Sequence, residues 1–284
     1  GGDIADTPYF IEATRAEALL LQRDIDGATS TLRHAMSLGS VYEDHAVTLR
    51  QLKLICEASD LPCAWLDAFR PPASLHFAGH LGVAAEDSAN ADLVARIDDV
   101  LERHGVGFGY GALAAGSDIL IAERLLARGA ELHVMLPMSR AAFRMASVEP
   151  WAEDWAERFE ACLASATSVR EVSDVTGRYD PIANTLASEL SMGAAVLNAR
   201  LLESRAVQLL IADDAEGVFG TGTETARDGT TWQAAGRGQE VIRWPRQAAT
   251  PAAGGGAAWP AADAGERKSA ATGAAAGAGA GGKS

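Results

Sequence analysis

Lysine is nearly missing from this chain. Of 24 basic residues only Lys53, Lys268 and Lys283 are lysines, and every cation between residues 71 and 246 is an arginine. Basic residues as a class are also outnumbered, by 38 acidic ones, for a formal charge of -14 over 284 residues. A protein that coats DNA or RNA draws most of its affinity from phosphate neutralisation, so this balance argues against a nucleic-acid partner. The same balance argues against attraction to an anionic membrane surface. Long apolar runs are absent as well: none approaches the roughly 20 residues of a membrane helix, and no signal-peptide pattern opens the chain. Cysteine is scarce. Cys56, Cys63 and Cys162 cannot all pair and form no CxxC, so they read as reduced thiols of a cytoplasmic protein. The preference for arginine, alanine and glycine reads as the mark of a GC-rich genome.

Metal-ligand spacing is lacking too. Cys56, Cys63, His76 and His80 come near a zinc-finger pattern, but the gap between the cysteines is too long and Pro71-Pro72 interrupts the segment. The histidines form no HExxH, so no metal is expected. The last eight residues, Gly277 to Ser284, satisfy the P-loop expression GxxxxGK[ST]. A phosphate loop needs a strand before it and a helix after it, and here an Ala/Gly tract precedes it and the sequence stops.

The chain divides by texture. From Gln247 to Ser284, 25 of 38 residues are alanine or glycine, without a periodic apolar face. Such a segment buries too little apolar surface to offset its ordering entropy, and disorder is expected for 247–284. Residues 1–70 read as helical. Thr7-Pro8 is a cap followed by proline at the first helical position, and Phe10, Ile11, Thr14, Ala18 and Leu21 follow at helical spacing. A break at 23–27 precedes a second helix over 28–38 and a third over 43–58. Pro62 and Arg70-Pro71-Pro72 then mark a linker.

From Leu75 onward short apolar runs alternate with helical patterns. Strands are predicted at 75–78, 106–110, 131–136, 168–172, 206–212 and 240–244. Helices are predicted at 88–104, 117–128, 149–165, 182–204 and 222–235. Strict alternation implies an α/β fold: a Rossmann-like, doubly wound parallel sheet spanning 71–246. Trp151, Trp155 and Phe159, at i, i+4 and i+8, should pack their helix onto the sheet.

Chemistry concentrates in two glycine-rich loops. In Gly107–Glu123 a strand runs into a glycine turn ending Gly116-Ser117-Asp118, with Ser117 placed to cap the next helix. Amides at a helix N-terminus suit a phosphate, and Asp118 would accept ribose hydroxyls; close helix–strand packing alone would also call for such a turn. The second loop, Glu216 to Glu224, contains Gly220-Thr221-Gly222-Thr223 after the strand ending at Ala212. Gly79-His80, following the first strand, should open onto the same edge, since ligands of open α/β sheets bind beyond the carboxyl ends of the strands.

These stretches resemble a known family. "FAGHLG" (77–82), "ALAAGSDILIAERLLARGAELHVMLP" (112–137) and "FRMASVEPW" (143–151) are similar to the SLOG superfamily of Rossmann-like domains. That superfamily includes the Smf/DprA DNA-processing proteins and the "lonely guy" nucleotide phosphoribohydrolases. The phosphoribohydrolases carry PGGxGTxxE where Gly217, Gly220, Thr221 and Glu224 match, with Glu216 and Val218 replacing the proline and one glycine. The resemblance implies phosphate contacts at Gly220 and Thr221, or at Gly222-Thr223 in a shifted register, and a ribose-directed acid at Glu224. At the other end, "EALLLQRDIDGATSTLRHAM" (17–36) resembles a tetratricopeptide helix–turn–helix, with Arg23 at the repeat's usual turn glycine. Helical repeats, linker and this domain in that order resemble bacterial signalling or defence proteins with a TRAFs-binding-type helical region. Only about one and a half repeat units are present, so the sequence is expected to be a piece of a longer array.

Together these readings favour sensing of a nucleotide-derived small molecule such as ADP-ribose or an NAD-like relative, with a protein partner engaged through the helical region. No other cofactor is implied, and a homo-oligomer is compatible with the sequence. Two alternatives stand beside this: an N-glycosidic hydrolase of nucleotides using Glu224, and a scaffold carrying an empty Rossmann-like fold. The -10 charge of residues 71–246 favours a small nucleotide over a nucleic acid.

Overall fold

A computed structural model describes residues 7–81, 83–85, 87–151, 153–174, 180–213 and 224–245. The chain is an α/β protein whose six-stranded sheet is parallel throughout and has helices on both faces. Three helices come first: α1 (Pro8–Leu21), α2 (Ile25–Ser37) and α3 (Tyr42–Ala58). The alternating part follows as β1 (Ala73–Gly79), α4 (Ala91–His104), β2 (Val106–Gly111), α5 (Ser117–Ala127), β3 (Glu131–Leu136), α6 (Arg140–Ser147), α7 (Glu153–Ser165), β4 (Ser168–Glu171), α8 (Pro181–Leu201), β5 (Ala206–Ala212), α9 (Glu224–Ala234) and β6 (Gly238–Arg243).

Helices α1 and α2 form a hairpin around Ala16, Leu20, Ala28 and Leu32, which cluster with Leu49, Leu52 and Cys56 of α3. Pro8 occupies the first turn of α1, and extended Thr7 precedes it. α2 starts three residues earlier than its apolar spacing suggests, because the Asp24 carboxylate accepts the Gly27 amide at 2.8 Å. The turn between the two helices is left-handed at Arg23, with φ of 66°. The position that the repeat-like pattern reserves for glycine therefore adopts a glycine conformation with an arginine side chain. That guanidinium donates to the Ser59 carbonyl at 3.1 Å.

In the sheet the strands stand in the order β4-β3-β2-β1-β5-β6. The chain steps outward from β1 to β4, returns through α8, and resumes at β5 on the other side of β1. Strands in such a sheet are covered on both faces, which is why they read as apolar runs. Leu75 and Phe77 of β1 and Val207, Leu209 and Ile211 of β5 join the main core, which also takes Leu93 and Ile97 of α4, Ile119 of α5, and Trp155 and Phe159 of α7. The opposite face carries Phe108 and Tyr110 of β2 under Met192 and Ala195 of α8 and Trp232 of α9.

That second face also buries a polar ladder. Gln208 donates to His76 Nδ1 at 3.0 Å, Gln239 donates to Gln208 Oε1 at 2.6 Å, and Asn198 donates to Ser74 at 3.0 Å. His76 is fully buried, its ring stacked on Trp232, and burial pushes its pKa down to about 3. It stays neutral and accepts one hydrogen bond at the strand centre. His76 is thus a core group of the sheet, whereas Cys56 of the zinc-like spacing is buried among the first three helices. Among the described residues no group of three or more His, Cys, Asp or Glu side chains is placed to hold a metal, and no helix is long and apolar enough to cross a membrane.

The predicted helix over 149–165 is α7, which starts four residues later than expected, and a further helix precedes it. α6, absent from the expectation, is capped by Ser139 Oγ accepting the Ala142 amide. Pro150 disfavours helical geometry at the residue before it, so α7 begins only at Glu153. Trp155 and Phe159 are buried against the sheet and Trp151 is half-buried. The Ala/Gly segment 247–284, with its P-loop-like ending, lies outside the described residues.

Replacing Arg23 by alanine or by glycine removes the same contact to Ser59, but only glycine relieves the left-handed backbone. Arg23→Gly is therefore expected to be more stable than Arg23→Ala by about 1 kcal/mol in urea unfolding. Equal stabilities would mean that this turn is not left-handed.

Candidate functional site at the strand-order switch

Between β1 and β5 the direction of strand addition reverses, and the carboxyl ends of these two strands form the crevice where open α/β sheets bind ligands. Five of the predicted site residues meet there. Gly79 ends β1, and a Cβ at this position would lie 2.4 Å from Ser117 Cβ and 3.1 Å from Ile211 Cβ. The missing side chain lets the N-terminus of α5 press directly onto the strand end. Gly116, with φ of 93° and ψ of -121°, occupies backbone space open essentially to glycine alone, and a Cβ there would meet the Leu81 carbonyl oxygen at 2.8 Å.

Ser117 does not cap α5. The N-cap is Gly116, and the fully buried Ser117 hydroxyl donates to the His80 carbonyl at 2.8 Å. Local sequence favours serine as a cap, but here the close β1–α5 approach places a strand-end carbonyl within reach of its hydroxyl. His80 is also tied inward. Its Nε2 lies 2.9 Å from the Trp244 carbonyl, and its amide donates to the Ile211 carbonyl at 3.3 Å. The ring thus bridges the end of β1 to the residue just after β6. It fastens strand ends together and therefore does not project into solvent.

Asp118 is the chemically distinctive member. It is buried, and its Oδ2 accepts the Ala114 amide at 3.2 Å while Oδ1 has no hydrogen-bond partner among the described residues. Burial pushes its pKa up to about 8; the Ala114 and Gly79 amides pull the other way, and the negative charge of Asp228 adds to the rise. A carboxyl group held this way is largely protonated at neutral pH and has a proton to donate. Asp228 of α9 is a second buried acid, which the sequence reading did not single out. Its carboxylate accepts the Ser188 hydroxyl and pairs with Arg227 at 3.2 Å, and burial raises its pKa as well. Nothing in the local sequence ThrAlaArgAspGly marks it, because its burial comes from the packing of α9 beside α8.

Gly220, Thr221, Gly222 and Thr223 lie outside the described residues, as do Glu216, Gly217 and Val218. Glu224 is the first residue of α9, so its backbone opens the helix that follows β5, while its side chain lies outside the description.

Cavities also flank the sheet among the described residues. A groove of about 750 Å³ beside the loop after β1 is lined by Ala85, Val94, Leu120, Glu123, Arg124 and Arg158. Both arginines are already committed. Arg158 pairs with Glu123 at 2.7 Å and lies over the Trp155 ring at 4.4 Å, and Arg124 pairs with Asp98 at 2.9 Å. The groove therefore offers apolar wall and balanced charge more than a cationic phosphate clamp. Another cavity, about 360 Å³, lies between the start of α3 and strands β2 and β3, against Tyr42, Phe108, Tyr110 and His133, and touches none of the predicted site residues.

No family model matches the chain, and neither does any curated protein. Among solved structures it aligns with the X-ray structure of DNA processing protein A (DprA) from Streptococcus pneumoniae, at 11% identity and a TM-score of 0.23, over 83% of this chain and 94% of that one. A likeness at that TM-score carries no argument. The Rossmann-like description rests on the parallel sheet and its strand order.

Two variants test this geometry. Gly116→Ala is expected to destabilise the protein by at least about 2 kcal/mol in urea unfolding, since it combines a forbidden backbone region with a carbonyl clash; a change within about 0.5 kcal/mol, the usual surface range, would contradict the tight turn. For Asp118 the folded-state pKa of about 8 lies above the ordinary carboxylate value of about 3.9. The native state then holds a proton that the unfolded chain releases, so this contribution is complete below about pH 4 and is lost as pH rises towards 8. Asp118→Asn, which cannot ionise, is expected to flatten the decline in stability between pH 5 and pH 8, with a slope change of up to about 1.4 kcal/mol per unit. An unchanged slope would show an ordinarily ionised carboxylate.

Proposed function

We propose that the chain binds a nucleotide-derived small molecule at the β1–β5 switch point and that it works as a sensor. The observation that carries this reading is the convergence, at that crevice, of the glycine-dependent α5 N-terminus and the buried acid Asp118. Helix-terminal amides suit phosphate, and a protonated Asp118 adds a donor without adding a negative charge. A ligand of the ADP-ribose or NAD type has both the phosphates and the ribose hydroxyls that such groups recognise. The SLOG resemblance of the two loops supports the same class of ligand.

The helical segment has a physical route to this site. Arg50 of α3 pairs with Glu203 at 2.9 Å and donates to the Leu201 carbonyl at 3.2 Å, while Arg70 of the linker donates to the Glu203 carbonyl at 3.3 Å. These three contacts grip the end of α8 and its connection to β5, before the strand whose far end borders the crevice. In this reading, occupancy at the crevice is passed to a protein partner through that grip. An N-glycosidic hydrolase is the second reading, favoured by the placement of Glu224 at the start of α9 on the same edge.

Thermal unfolding with AMP, ADP-ribose, NAD, cyclic ADP-ribose and short oligonucleotides separates these readings. A nucleotide at about 100 times its Kd stabilises the native state by about 2.7 kcal/mol, which in a chain of this size raises Tm by roughly 5–10 °C. At least one small nucleotide is expected to do so, with no release of free base. Base release that is abolished in Glu224→Gln would replace the sensor by the hydrolase. Absence of stabilisation by every small molecule would leave an empty scaffold, and strongly salt-dependent binding of the oligonucleotides would restore nucleic acid as the partner.

A further inference from the structure

Helix α8 turns its large aliphatic side chains away from the protein. Its buried side consists mostly of small residues, Ala183, Ala187, Ser191, Ala195 and Ala199, with Met192. Its solvent side carries Ile182, Leu186, Leu190, Leu197 and Leu201, each between 45% and 78% exposed. A helix that packs on one face normally has polar residues on the other; one that is apolar all round is usually buried all round. Five large aliphatics in one stripe along a 21-residue helix make a continuous patch of the kind that marks an interaction surface.

We propose that this face is a self-association surface, on which α8 of one copy lies antiparallel to α8 of a second copy across a two-fold axis. Three features select a second copy as the occupant. First, the four leucines of the stripe are symmetric about the point between Gly193 and Ala194, with Ile182 beyond the symmetric part. Reflection there exchanges Leu186 with Leu201 and Leu190 with Leu197, so each leucine meets a leucine in an antiparallel pair. A two-fold interface requires this reciprocity, residue i on j and j on i. Second, the exposed residue beside the midpoint is Gly193, which has no side chain, and the midpoint is where crossing helices come closest. Third, Glu189 and Arg200 are the charged exposed residues of this face, one on each side of the midpoint. An antiparallel pair brings Glu189 of each copy within a turn of the other copy's Arg200, whereas a parallel pair would set like charges together. Burying the stripe removes from water the apolar surface that α8 leaves open, and the two cross-pairs fix its direction.

Sedimentation velocity of the full chain from micromolar to near-millimolar concentration tests this. The parent protein is expected to run at twice its 29.6 kDa chain mass, and Leu190→Glu/Leu197→Glu at the single-chain mass with an unchanged circular dichroism spectrum. Because both leucines are outside the core, the double variant should fold; if its spectrum is lost, Gly193→Cys gives an independent readout. Cysteines at the midpoint should oxidise to a covalent dimer, since disulfides need Cα atoms within about 7 Å, while the parent should not. Glu189→Arg is expected to weaken the dimer at least about tenfold, and adding Arg200→Glu to restore it. A parent that remains monomeric, or a dimer that survives the double leucine substitution, overturns the proposal. So does a failure of the charge exchange to restore association. A monomeric full chain that dimerises only after removal of residues 246–284 would show that the chain's own tail covers the face, and would also overturn it.

Discussion

The close approach of α5 to the end of β1 is the constraint from which the rest of this edge of the sheet follows. It exists because Gly79 has no side chain to hold Ser117 away, and because Gly116 takes a backbone conformation that no other residue enters cheaply. Once the helix is seated, the Ser117 hydroxyl satisfies the His80 carbonyl and the His80 ring reaches the Trp244 carbonyl. The ends of β1, β5 and β6 are thereby linked through one short segment. The same seating buries Asp118, since a side chain at the second position of α5 has nowhere to go but under the turn that leads into the helix. Glycines that looked like phosphate-loop residues thus have a structural purpose that precedes any ligand: they bring the helix terminus and the acid to the crevice.

Much of this architecture was legible because parallel strands covered on both faces are short, nearly continuous apolar runs, and all six strands were found within two residues of their ends. The misses share a cause: they depend on what lies across space. Ser117 has the chemistry of a cap, and only the neighbouring strand end diverts it. α6 is short and follows Ser139 closely, and Pro150 separates it from α7. Asp228 is surrounded by polar and small residues and is buried only because α9 packs beside α8. Arg23 is the reverse case. The repeat-like pattern called for a glycine there, and the backbone adopts that geometry despite the arginine. Of the candidate site itself, the half built on β1 and α5 can be read directly, while Gly220–Thr223 fall outside the described residues.

Helix α8 shows why periodicity could not orient every element. Alanines facing the sheet let the helix sit close over β1 and β2, where Phe108, Tyr110 and Trp232 already fill the space. Large side chains on that side would overpack, so the leucines lie outward. An apolar pattern that runs around the whole helix carries no sign of which side is the core. The two charges on the outer face then become informative, because they are what remains to specify direction once apolar area has specified contact.

The protein's acidity, which first weighs against nucleic acid, acts differently at the crevice. An ionised carboxylate beside a bound phosphate would repel it, and the surrounding field of a chain at -14 would add to that repulsion. Burial removes this conflict at Asp118 by keeping its proton on up to about pH 8. In the proposed reading the remaining attraction would come from backbone amides, whose partial charges are fixed in place and need no lysine. A short-range, amide-built anion site can therefore work in a protein whose overall field is negative. A long polyanion would gain less from it, because most of its phosphates would lie beyond such amides in the field of a chain at -14. In the proposed reading, small size in the ligand thus goes with how the positive potential is made.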